Sequence, residues 1–236
     1  MWSSDRTARH VLVSMLVVAL LSAGCGLRAL DEMKETHRQG QYAEVAAMDV
    51  SCDPGDDRCN QMHLLKGDAC YVLGRRAESA DEDSTARARF ACAETHLGEG
   101  LRQTEPGSGD WAIAGNDRAQ WYTNRAESLR QLQDLLAGDS ARAVSRRLLE
   151  FGRTYRETIP DAAAPHFYIA TAQYALLQPR LLDAPSGDAD VCGELDTIIS
   201  TLDEAPPAPD TSSVHTNIES LRRQLDRQRS RLDCSS

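Results

Sequence analysis

Hydrophobic residues fall into two regimes along this chain. Val11 to Leu21 is an uninterrupted uncharged run, shorter than the roughly 20 residues that a membrane-spanning helix needs. From Cys25 onward, apolar positions recur every three or four residues, and no stretch alternates β-branched with polar residues as a strand would. The period predicts helices over Leu27 to Gln39, Tyr42 to Val50, Asn60 to Leu73, Ser84 to Gln103, Trp111 to Ala137, Ser140 to Thr158, Pro165 to Leu177, Val191 to Leu202 and Val214 to Asp233. The predicted breaks are Gly40, the turn from Cys52 to Cys59, Gly74, Pro106 to Gly109, Gly138, Pro160, Pro179 to Gly187, and Pro206-Pro207-Ala208-Pro209. Helices joined by short gaps pack as antiparallel hairpins, so the expected fold is all-α.

Arg6 and Arg9 precede the apolar run and small residues close it, the layout of a secretory signal. Leu21-Ser22-Ala23-Gly24-Cys25 resembles the lipobox of bacterial lipoproteins, with Ser22 where the commonest form has Leu. The resemblance implies a signal peptide over residues 1–24, cleavage before Cys25, and lipid on that cysteine. Diacylglycerol on the thiol and an amide-linked acyl chain make a several-chain anchor, which holds where one chain is marginal. Gly26 follows Cys25. In Gram-negative lipoproteins an Asp there often marks retention in the inner membrane. The expected location is therefore the periplasmic face of the outer membrane, or the cell membrane in an organism with only one.

Charge and cysteine content narrow the picture. Cys25 to Ser236 carries 24 Lys+Arg against 35 Asp+Glu, a net charge of -11. That balance argues against nucleic acid, whose binding rests on phosphate neutralisation, and against an electrostatic hold on anionic lipid. Beyond Cys25 stand Cys52, Cys59, Cys70, Cys92, Cys192 and Cys234, an even set that points to disulfides in an exported chain. Six cysteines allow 15 connectivities. The expected set is nearest-neighbour: Cys52–Cys59, Cys70–Cys92 and Cys192–Cys234. An alternative reads the i, i+4 pairs Cys59/His63 and Cys92/His96 as a zinc site. An oxidising compartment puts disulfides ahead of it, and no metal or other cofactor is assigned.

The helical hairpins raise the question of a repeat. Gly40-Gln41-Tyr42-Ala43-Glu44 is similar to a tetratricopeptide (TPR) turn, and Gly74 follows Gly40 by 34 residues, the TPR period. Gly67, Ala69, Tyr71 and Gly74 reproduce the Gly-x-Ala-x-Tyr-x-x-Gly pattern of a first TPR helix, and Ala86, Phe90 and Ala93 the spacing of a second. Ala170-Thr171-Ala172-Gln173-Tyr174-Ala175-Leu176 echoes the first-helix pattern, with a stretched unit between. The resemblance implies one domain over 25–236: about four hairpins stacked as a TPR-like solenoid and closed by a capping helix over 214–233. The cap carries Ile218, Leu221, Leu225 and Leu232 on one face and Arg222, Arg223, Arg227, Arg229 and Arg231 around it, expected as a solvated outer face.

A TPR concave face is built from the first helix of each unit. The resemblance places Leu64, Tyr71, Phe167 and Tyr174 on it, with Leu30, His37, Tyr122 and Leu129 added by weaker registers. Such a surface holds an extended peptide or a helix. Catalytic patterns are missing: there is no His-Glu-x-x-His, no phosphate loop and no Gly-x-Ser-x-Gly. The expected function is therefore non-enzymatic, a membrane-anchored adaptor that binds an envelope protein or peptide in assembly, secretion or transport. A small-ligand carrier accessory to a transporter, or an enzyme with an unrecognised site, are the alternatives.

Overall fold

The computed structural model describes residues 28–50, 58–104, 107, 109–113, 115–208 and 212–234. Among them the chain forms nine α-helices and no β-strand. Helix α1 covers residues 28–38. The others are α2 (Tyr42–Ala47), α3 (Cys59–Ser79), α4 (Asp83–Gln103), α5 (Arg118–Leu135), α6 (Gly138–Thr158), α7 (Ala164–Asp183), α8 (Ala189–Asp203) and α9 (Ser213–Arg231). None is long and apolar enough to cross a membrane among the described residues. The segment expected to be a signal peptide and lipobox, with Cys25, and also Cys52, lie outside them.

Local chemistry accounts for most boundaries. At Gly40 the backbone takes φ +73°, and the Gly40 and Gln41 N–H groups donate to the carbonyls of His37 and Thr36, closing α1 with a left-handed glycine cap. Asp117, Asp188 and Ser212 cap α5, α8 and α9, each side chain accepting from backbone N–H groups of the first turn.

Three expected boundaries are corrected by packing. Gly74 does not end α3, because the helix needs a residue without Cβ there: an added Cβ would stand 2.8 Å from the Phe90 ring of α4. The stretch from Trp111 is not yet helix. A short 3₁₀ turn, Gly109–Trp111, and a bridge between Ile113 and Asn116 precede Asp117, whose capping oxygen sets the start of α5. Pro179 does not stop α7, which runs on to Asp183 because the next turn buries Leu181 to 3% exposure.

From α2 onward each helix packs against the next in the chain, and odd-numbered helices also touch one another: α3 with α5, α5 with α7, α7 with α9. His37 of α1 reaches Asp68 of α3 in the same layer. The odd helices thus form an inner layer, with α4, α6 and α8 outside it. From α3 onward they begin at Cys59, Arg118, Ala164 and Ser213, every spacing longer than 34 residues. Close approach within the α3–α4 hairpin rests on small residues. A Cβ on Gly67 would meet the Leu97 side chain at 2.6 Å, and one on Gly100 would meet Leu64 at 2.8 Å.

Helix α9 buries Ile218, Leu221, Leu225 and, just past its end, Leu232. Its arginines are not all solvated, contrary to expectation. Arg222 pairs with Asp203, Arg229 with Asp196, and Arg231 donates to the Leu181 carbonyl at 2.7 Å, so three of the five fasten the cap to α7 and α8.

Candidate functional site

The inner layer carries a polar seam that is buried at Asp68 and Asn124 and reaches solvent at Arg75 and Asp134. At one end Asp68 of α3 accepts from Asn124 Nδ2 of α5 at 2.7 Å and pairs with His37 Nε2 of α1 at 2.8 Å. Farther along, Glu127 of α5 accepts from the Arg130 Nε and Nη2 groups at 2.9 and 2.8 Å, while Arg130 Nη1 donates to Asp134 at 2.7 Å. Arg75 of α3 and the Tyr168 hydroxyl of α7 reach the same Glu127 carboxylate at 3.4 Å. Burial pushes the Glu127 carboxyl up, but the hydrogen-bonded Arg130 guanidinium outweighs it and holds the group below the usual carboxylate range. Asp134 moves the other way, raised by burial and by the neighbouring Glu127 charge against the pull of Arg130.

This seam opens into a groove of about 700 Å³ between α5, α6, α7 and α9. Helix α7 supplies the floor with Phe167, Thr171, Tyr174 and Gln178. One wall is Arg130, Gln133 and Asp134 of α5 with Arg142 and Ser145 of α6, and the other is Asn217, Ser220, Leu221 and Gln224 of α9. Gln224 Nε2 donates to the Tyr174 hydroxyl at 3.1 Å, and Ser145 Oγ to Gln133 Oε1 at 3.1 Å, so both walls are held in place by groove residues. Three glutamines and an asparagine line it, and no histidine or cysteine is among the lining residues. Leu182 at its rim is 80% exposed, the one large apolar side chain so displayed among the described residues.

Of the six residues expected on one binding face, only Phe167 and Tyr174 reach this groove, and they show it little surface, at 9% and 7% exposure. Tyr122 and Leu129 line a separate cavity of about 500 Å³ between α4, α5 and α6. There Tyr122 stacks on Phe151 with ring centroids 5.6 Å apart, and Arg125 lies 4.3 Å over the Phe151 ring. Leu64 is fully buried in the α3–α4 contact, and Tyr71 packs half-buried against Phe90. Burial pushes the Tyr71 hydroxyl up to about 12. Leu30 is core, and His37 belongs to the Asp68 pair. The structure therefore does not bring these residues together on one opening. A helix in the inner layer is flanked on both sides, so its apolar positions are consumed by packing and its polar ones line the opening. The missed residues Asn217, Ser220 and Gln224 recur at helical spacing, a signal available in the sequence.

The cysteines separate the disulfide and zinc readings. Cys70 is bonded to Cys92 and Cys192 to Cys234. Cys59 is also disulfide-bonded, while the expected Cys52–Cys59 bond lies outside the described residues at Cys52. The zinc set of Cys59, His63, Cys92 and His96 loses both thiolates, since a sulfur shared in a disulfide is not a thiolate ligand. Its two histidines nevertheless meet, Nδ1 to Nδ1 at 2.8 Å. No group of three or more His, Cys, Asp or Glu side chains converges as a metal site among the described residues. Comparison with protein-family models, curated proteins and solved structures gave no match to this chain.

Proposed function

We propose that this chain is a lipid-anchored, exported adaptor of TPR-like architecture, and that its α5–α7–α9 groove binds an extended segment of an envelope protein. The observation that carries the reading is the groove lining, in which the amides of Gln133, Gln178, Asn217 and Gln224 stand beside the thinly exposed rings of Phe167 and Tyr174. An amide side chain offers one acceptor and two donors, so it pairs with the N–H and C=O of a peptide bond whatever the sequence. The inner layer of odd-numbered helices supports the TPR-like part, since a concave layer of first helices is what that architecture builds. The disulfides support export. In this reading the protein binds and does not catalyse, its membrane hold is the lipid on Cys25, and nucleic acid is not a partner.

Selection from a displayed peptide library on the full chain tests the groove. Selected peptides are expected to lose about tenfold or more in affinity, about 1.4 kcal/mol, when Gln178 or Gln224 is changed to Ala, with the melting temperature held. Peptides indifferent to both changes would place binding elsewhere. The anchor is tested separately: Cys25→Ser is expected to abolish incorporation of a palmitate analogue and leave the precursor uncleaved. A second reading, a small-ligand carrier, is favoured by the groove volume of about 700 Å³, within the range of ligand pockets. It predicts that small amphiphiles displace the selected peptides.

A further inference from the structure

We propose that His63 and His96 form a copper site across the α3–α4 hairpin, with the two Nδ1 atoms as the protein ligands. The two nitrogens stand 2.8 Å apart, with ring planes inclined by 29° and centroids 5.1 Å apart. Copper and zinc bonds to imidazole are about 2.0 Å long, which sets two ligands at right angles about 2.8 Å from each other. The observed separation is therefore that of two neighbouring corners of the tetragonal plane that copper(II) prefers. Binding an ion there requires both rings to turn about their Cβ–Cγ bonds until their lone pairs converge, with the side chains adjusting to keep the two nitrogens about this far apart.

The protonation balance is simple. At present one Nδ1 donates to the other, so the donor ring carries its proton on Nδ1 and a lone pair on Nε2. Moving that proton to the same ring's Nε2 leaves two neutral imidazoles with free Nδ1 lone pairs, and no proton need be released. Both rings are half-buried, and desolvation depresses both pKa values, to about 4 for His96.

The backbone around the pair is fixed. His96 follows Cys92 by one helical turn, and Cys92 is bonded to Cys70 of the facing helix. His63 follows the disulfide-bonded Cys59 by the same turn. The Gly67–Leu97 and Gly100–Leu64 contacts lock the helix spacing alongside. A ligand pair on two rigid helices is preorganised, so little is lost in ordering it on binding. Nearby charges are mixed. Glu99 is the carboxylate acting most strongly on His63, opposed by Lys66 and Arg102, and Lys66 is directed away, donating to the Met48 carbonyl at 2.6 Å. Copper heads the divalent first-row series for nitrogen donors, and the sulfurs that would favour zinc are oxidised here.

The test is titration of the full chain, purified without reductant, with copper(II) chloride in glycine buffer near neutral pH, read by pulsed electron paramagnetic resonance. One ion per chain with two coupled imidazoles is expected. His63→Gln and His96→Gln should each weaken binding by about tenfold or more, and His215→Gln should leave it unchanged. Equal binding in wild type and both site variants, or a wild-type spectrum with fewer than two imidazoles, overturns the site. The wild-type spectrum decides alone should a variant fail to fold.

Discussion

Asp68 ties three helices at one point. Its carboxylate, 8% exposed, meets His37 of α1 and Asn124 of α5 from its own place on α3. Removing it leaves the buried His37 Nε2 and Asn124 Nδ2 without this acceptor, so Asp68→Ala should lower unfolding free energy by about 1–3 kcal/mol in urea titrations. A loss below about 1 kcal/mol would mean that packing alone holds α1. The histidine pair acts at the same scale on pH dependence. Burial holds His63 and His96 below the ordinary 6.5, so between there and about 4 the unfolded chain takes up protons that the folded chain resists. Stability should fall as pH drops through that window, and His96→Gln should flatten the fall. Below about 4.5 a second loss sets in as Glu94 and Glu127 protonate, burial opposing and arginines outweighing it in holding both low. Asp134, raised, partly offsets that loss.

Among the elements, the α3–α4 hairpin is the most tightly joined, and glycine makes it so. Gly67→Ala would drive a methyl to 2.8 Å from the Leu97 backbone nitrogen, which cannot yield without parting the helices. The expected cost is about 1–3 kcal/mol from overpacking, despite the better helix propensity of Ala. Gly193 of α8 is the control: it is exposed, and a Cβ there meets nothing within 4 Å. Gly193→Ala should raise stability by about 0.5–1 kcal/mol. Thermal melts of the two variants should move in opposite directions; a shared sign would mean that the hairpin relaxes freely. Gly67 was legible in the sequence through its pattern with Ala69 and Tyr71. Gly74 was not, because a glycine that stops a helix and one that admits a phenylalanine look alike until the partner helix is in place.

Across the whole molecule, contacts run between neighbouring helices and within the inner layer, so stability is local and the two ends need not unfold together. The Cys192–Cys234 bond spans 42 residues and holds the tail of α9 to α8. Changing both cysteines to Ser should remove about 2–4 kcal/mol of protection at the C-terminal end. Hydrogen exchange should quicken in α8 and α9 while α3 and α4, joined by Cys70–Cys92, keep their rates. Equal quickening in all helices would show that the chain unfolds as one unit.

The sequence by itself determined the all-α class and the order of the helices, because a 3.6-residue apolar period and capping residues such as Asp188 and Ser212 act within a turn or two of chain. It also pointed to the two cysteine pairs seen here, since successive hairpin helices bring near neighbours together. Only the tertiary structure decided which aromatics face an opening, that α7 continues past Pro179, and that three arginines of α9 clasp its neighbours. Periodicity says which face of a helix is apolar but not how many neighbours cover it. An inner helix covered from two sides spends Leu64 on packing and turns Tyr122 and Leu129 toward a different cavity, and glutamine, asparagine and serine fill much of the groove lining in their place.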